Sequence, residues 1–165
     1  MTTLYVDNIA PNLQSRVSVP GHVIQVVSVS SGVSTDTDAD YPQASGITAS
    51  ITPSSTSSKI YVVVNVQSSV RNNGTSTNKI GLFGIKNNTS GTELNRSRIG
   101  ADLSATNKDF FAPITFAELD SPSSTSEQTY EVLFGRLNSN TFNNTVRLNN
   151  LGNANTTITL MEIAG

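Results

Sequence analysis

The feature that most limits what this chain can fold into is the period of its hydrophobic residues. From residue 21 onward, apolar side chains come in short runs at every second position, and no stretch of ten residues repeats them at helical spacing. The strongest run is 60–66, where Ile60, Val62, Val64 and Val66 share one face while Tyr61 and Val63 give the opposite face some apolar character. That pattern predicts a central strand. Further strands are predicted at 23–29, 47–51, 79–86, 110–119, 130–137, 145–148 and 156–163, with a weaker segment at 94–103, giving about eight in all. Gly81 and Gly84 within 79–86 point to a bulge or a close backbone approach. Pro113 predicts an edge position for 110–119, because proline cannot donate to a ladder. In 156–163, Ile158 and Leu160 face one way and Met161 and Ile163 the other.

The linkers agree with this reading. Asn72-Asn73-Gly74, Asn87-Asn88-Thr89-Ser90-Gly91 and Asn149-Asn150-Leu151-Gly152 concentrate the residues that tolerate φ > 0. Roughly a third of the chain is Ser, Thr or Asn, whose short polar side chains compete with helical hydrogen bonding. Strands of this number and spacing predict an all-β fold, an antiparallel β-sandwich of jelly-roll type. One repeat sharpens that expectation: Pro53-Ser54-Ser55-Thr56-Ser57 recurs as Pro122-Ser123-Ser124-Thr125-Ser126, and Tyr61 and Val63 echo Tyr130 and Val132 at the same offset. Two similar hairpins in pseudo-equivalent places, as in the paired Greek keys of a jelly roll, would produce it.

Residues 1–20 read as a separate extended arm, with Leu4, Val6 and Ile9 before Pro11 and Val17 and Val19 before Pro20. The remaining 21–165 is long enough for a single sandwich domain with its own core. A short isolated strand needs a partner edge, so Leu4, Val6 and Ile9 are the expected partner contacts, and Val17 and Val19 the link to the domain. The expected core is Ile60, Val62, Val64, Phe116, Val132, Phe134, Ile158 and Leu160.

Charge and composition narrow the function classes. With 13% charged residues and a net charge of −2, the chain has no basic field for nucleic acid or anionic lipid. No apolar run approaches the ~20 residues that span a bilayer, and the N-terminus has neither a basic nor an apolar leader region, so synthesis in a cytoplasm is expected. The absence of cysteine leaves no disulfide or thiolate metal site. His22 is the only histidine and stands at the junction of arm and domain, which does not fit a hydrolytic triad. Asp36, Asp38 and Asp40 have the spacing that begins a calcium loop, but Tyr41 replaces its glycine and Ile47 its bidentate glutamate, so a solvated loop tip is expected. Glu118 and Asp120 share a strand face as a glycosidase pair would, but they end a strand entering a Ser/Pro turn, and no Trp is present to stack on sugar. No catalytic residue, cofactor or metal is therefore expected.

The segments Ile51-Thr52-Pro53-Ser54-Ser55-Thr56-Ser57-Ser58-Lys59-Ile60, Leu119-Asp120-Ser121-Pro122-Ser123-Ser124-Thr125-Ser126 and Thr157-Ile158-Thr159-Leu160-Met161-Glu162-Ile163 resemble the C-terminal β-domains of tail-fibre-like and head-decoration proteins of tailed phages. The opening Leu4-Tyr5-Val6-Asp7-Asn8-Ile9 is similar to the N-terminal segment of the same proteins. The resemblance implies a virion structural protein, commonly trimeric, with its sandwich facing outward and its N-terminal segment tied to the particle. No shaft, collagen-like or coiled-coil repeat separates arm from domain, and an arm of about 20 residues reaches at most ~70 Å. The expectation is thus a capsid decoration, or cement, protein: a homotrimer bound to the major capsid protein on the capsid surface, made in the host bacterial cytoplasm. The alternative is a short tail fibre or adhesin that reads a host receptor through the loops at 72–78, 87–91 and 138–144.

Overall fold

The computed structural model describes residues 19–75, 77–137, 143–150, 152 and 154–165. Among these, every regular element is a strand: β1 (Val23–Ser31), β2 (Thr35–Thr37), β3 (Gln43–Ile51), β4 (Lys59–Asn72), β5 (Asn78–Asn87), β6 (Thr92–Asp102), β7 (Asp109–Asp120), β8 (Gln128–Arg136), β9 (Asn144–Leu148) and β10 (Thr156–Ile163). All ladders between them are antiparallel. They form a six-stranded sheet and a four-stranded sheet, packed as a sandwich.

The long strand β4 organises the larger sheet. One of its edges pairs along nearly its whole length with β7; the other pairs first with β10 and then with β9. β1 lies outside β10, and β2 lies outside β9. The eight principal strands therefore run β1-β10-β4-β7 in one sheet and β3-β8-β5-β6 in the other. Successive strands alternate between sheets except at the β5–β6 hairpin, which is the winding of a jelly roll. The fold expected from the hydrophobic pattern is the one observed. β4 is central, and β7, with Pro113 opposite Gln67, is an edge strand.

Alternation places the core. Ile60, Val62, Val64, Phe116, Val132, Phe134, Ile158 and Leu160 are all buried between the sheets, joined by Ile47, Ile51, Phe83, Ile85 and Tyr130. Each such side chain contributes roughly 1.5–3 kcal/mol through the apolar surface it removes from water.

The two Ser-rich repeats are crossovers between sheets rather than hairpins within one. Residues 52–58 carry β3 into β4, and residues 121–127 carry β7 into β8. Because Ile51 pairs with Gln128 and Ile60 with Asp120, both turns lie at the same corner, side by side and running in opposite directions. They occupy pseudo-equivalent places, but the equivalence slips by one residue beyond the turn: Tyr61 faces outward while Tyr130 is fully buried. A one-residue shift reverses the face of every side chain in a strand.

Candidate functional site

Of the proposed partner-binding residues, Leu4, Val6, Ile9 and Val17 lie outside the described residues. Val19 lies within them and is 52% exposed. It opens a tight turn in which the His22 backbone NH donates to the Val19 carbonyl at 3.1 Å and the Val19 NH donates to His22 Nδ1 at 3.1 Å. Gly21 then donates to the Ala164 carbonyl at 2.7 Å, and Ala164 donates back to His22 at 2.9 Å. The turn Val19–His22 therefore lies beside Ala164 and leads into the outer edge strand β1. His22 closes this turn.

The acidic triplet is not one loop tip. Thr35–Thr37 forms β2, with Asp36 opposite Arg147 and its carboxylate 4.0 Å from Arg147 Nε. Asp38 accepts a 2.6 Å hydrogen bond from Thr145 Oγ1, and the Asp40 position bridges to Arg136. The three acidic residues are each engaged with a different partner, and among the described residues no group of three or more His, Cys, Asp or Glu side chains could hold a metal ion.

The carboxylates that end β7 are bound into the scaffold. Asp120 Oδ2 accepts from Asn87 Nδ2 and from the Tyr130 hydroxyl, each at 2.9 Å. Burial, followed by the Asp120 charge, pushes the Tyr130 pKa well above its ordinary value. Glu118 accepts from Asn95 Nδ2 at 3.1 Å. On β10, Glu162 is fully buried beneath the first Ser-rich crossover, where it accepts from Gln25, from the Ser54 backbone NH and hydroxyl, and from the Ser58 hydroxyl. Burial pushes its pKa up, and these four donors more than reverse that, leaving it below the ordinary value. The acids at this corner fasten its two crossovers to the sheets.

The Asn-rich loops spend their side chains locally. Asn72 Oδ1 accepts from the Gly74 NH, and Asn72 Nδ2 donates to the Leu103 carbonyl. Asn87 Oδ1 caps the Thr89 and Ser90 amides. Most of the third loop, 138–142, is outside the described residues.

The sequence reading missed the outer face of the larger sheet. There Val26, Met161, Tyr61 and Leu119 stand in register across β1, β10, β4 and β7. Val26 is 56% exposed, Leu119 45% and Tyr61 39%. The signal was present in the second apolar face that Tyr61, Val63, Met161 and Ile163 give to β4 and β10.

No protein-family model matches the chain, and no curated protein matches it. Among solved structures, the chain is similar to a protein of the disulfide-linked pili that form Bacillus endospore appendages, with 16% identity and a TM-score of 0.33 over 92% of this chain and 98% of that one. It is also similar to a chain of the infectious bursal disease virus Gt strain, with 12% identity and a TM-score of 0.31 over 98% of this chain and 43% of that one. A third likeness is to the arabinose-bound MgGH51 α-L-arabinofuranosidase, with 11% identity and a TM-score of 0.30 over 88% of this chain and 18% of that one. Likenesses at this level carry no inference about function.

Proposed function

We propose that this chain is a non-catalytic virion structural protein, a capsid decoration protein of a tailed phage that oligomerises on the head surface and is tied to the major capsid protein by residues 1–20. The observation that carries the reading is the position of Val19–His22, the start of the described residues, which is hydrogen-bonded beside Ala164 and leads directly into edge strand β1. Strand addition to a neighbour's edge is the ordinary way such a segment is held. The anchoring of Asp120 and Glu162 in the scaffold supports a structural rather than a catalytic role for the buried acids. The sequence resemblance points to the same class, and jelly rolls serve widely as capsid domains, although a fold alone does not fix a function.

Counting copies per purified particle by quantitative gel tests this reading. A decoration protein is present in hundreds of copies; a count of a few to some tens would replace it with a tail fibre or adhesin. Deleting residues 1–10 is expected to abolish particle binding while the domain keeps its thermal transition, and decoration by the truncated protein would remove the arm from the model of attachment.

A further inference from the structure

The outer face of the six-stranded sheet is built as a surface to be covered. Of the eight exposed large hydrophobic residues among those described, five (Val23, Val26, Tyr61, Phe111 and Leu119) belong to β1, β4 and β7 of this one sheet. Their register turns scattered residues into a patch. Val26 pairs with Met161, Met161 with Tyr61, and Tyr61 with Leu119, so one apolar row crosses four strands. The next outward row is Ser28, Thr159, Val63 and Ala117, and the one beyond it Ser30, Thr157, Asn65 and Thr115.

No charged residue stands at any of these twelve positions. Apart from the Tyr61 hydroxyl, the polar side chains among them pair within the face: Ser28 Oγ with Thr159 Oγ1 at 3.0 Å, Thr157 Oγ1 with Ser30 Oγ at 3.4 Å, and Asn65 Nδ2 with Thr115 Oγ1 at 3.0 Å. Drying such a surface breaks few bonds to water that the face does not itself replace. Exposed edge strands are usually guarded by Lys or other charges, and neither β1 nor β7 carries one in these rows. Charges flank these rows at both ends: Lys59 stands opposite Ile163 in the outward row beyond Tyr61, and at the far end of the sheet Asp109 receives both Arg71 and Arg147 at about 3 Å.

We infer that this face is the interface through which copies of the chain meet, with the three uncharged rows as its dry centre and the Arg71–Asp109–Arg147 cluster at its polar rim. The dimensions favour a second copy as the occupant. Four strand positions at about 4.8 Å and the 14 residues of β4 at about 3.3 Å cover roughly 900 Å², close to the ~800 Å² that each partner contributes to a stable protein interface. An apolar centre within a polar rim is the usual anatomy of such interfaces. The inference deepens the proposed function by naming the surface of self-association, and it rests on that reading only for the particle on which the oligomer sits.

The test uses the purified full chain, without particles, in sedimentation velocity and light scattering. The wild type is expected to be an oligomer. Tyr61→Arg, and independently Val26→Lys, should weaken association about 100-fold, as expected for a charge forced into a buried contact, with an unchanged thermal transition of the dissociated protein. Val33→Lys, at a 70% exposed site outside the sheet, should leave association intact. A monomeric wild type overturns the inference. So does an oligomer indifferent to both face variants, including one that dissociates only when residues 1–18 are removed, because the N-terminal segment would then hold the copies together. Particle copy number is a separate readout, so a correct interface on a protein that decorates nothing is recognised as such.

Discussion

Among the described residues, the chain covers the outer side of the four-stranded sheet and leaves that of the six-stranded sheet bare. The Tyr41 NH donates to the Arg136 carbonyl and the Arg136 NH to Ala39, which pins residues 39–41 against the end of β8. From there the Tyr41 ring reaches over the outward side of Gly84, with the Arg96 guanidinium stacked 4.5 Å above it and Arg96 itself paired to Glu93. Leu133, which is paired with Gly84, is only 5% exposed. The outer row Val26-Met161-Tyr61-Leu119 has no such cover among the described residues. A sandwich needs only its inner faces buried to fold, so closing one outer face with its own chain and leaving the other bare assigns the first to stability and the second to association.

The contrast breaks most severely at Gly135. A Cβ there would stand 2.7 Å from both the Cα and the N of Tyr41, which are backbone atoms that cannot swing aside, and the residue has φ of +155°. Gly135→Ala is expected to cost about 3 kcal/mol from strain and overpacking together, read as a lower urea midpoint. A loss under about 1 kcal/mol would mean that the 39–41 cover lifts easily and that the two outer faces are less different than they look.

A smaller effect isolates the ring itself. At Gly84 an added Cβ would fall inside the Tyr41 hydroxyl and 3.0 Å from the Asn95 carbonyl. Gly84→Ala and Tyr41→Ala should each destabilise by about 2 kcal/mol. Much of the Gly84→Ala penalty should vanish in the Tyr41→Ala background, with a coupling of about 1–2 kcal/mol. Additive losses would show that Gly84 serves the β5–β6 pairing and not the cover.

Much of this architecture was legible in the sequence because period-two alternation is a direct record of which side chains face the core. Ile60 through Val66 identified the central strand, Pro113 an edge, and Gly84 a close approach. What escaped notice depends on contacts distant in the chain. β2 is three residues long and exists because Asp36 and its neighbours pair with β9. β6, expected only as a weak segment at 94–103, runs the full Thr92–Asp102 with Leu94 and Ile99 as apolar anchors, since an edge strand with one covered face needs few. The identity of the residue covering Gly84 could not be read from Gly84 alone. The bare face was visible only in part: the second apolar side of β4 and β10 was apparent, but its alignment with Val26 and Leu119 depends on register between strands far apart in the chain, such as the one that sets Val26 against Met161.

The mildest expected effect is on pH dependence, and it separates the tyrosine of the cover from the tyrosine of the core. Burial first, and then the neighbouring Glu93 charge, raise the Tyr41 pKa well above 10.0; burial and Asp120 do the same to Tyr130. Both phenols thus hold their protons in the folded protein at pH values where the unfolded chain has released them. Above pH 10 the unfolded state binds fewer protons than the folded one, so stability falls as pH rises from there. Tyr41→Phe should flatten part of this alkaline decline with little change at pH 7, and Tyr130→Phe should flatten it while also costing stability at pH 7 through the hydrogen bond lost to Asp120. If Tyr41→Phe left the alkaline limb of urea midpoints unchanged between pH 9 and 11, the ring would be titrating as it does in water, and the four-stranded sheet would be as open to solvent as the face opposite.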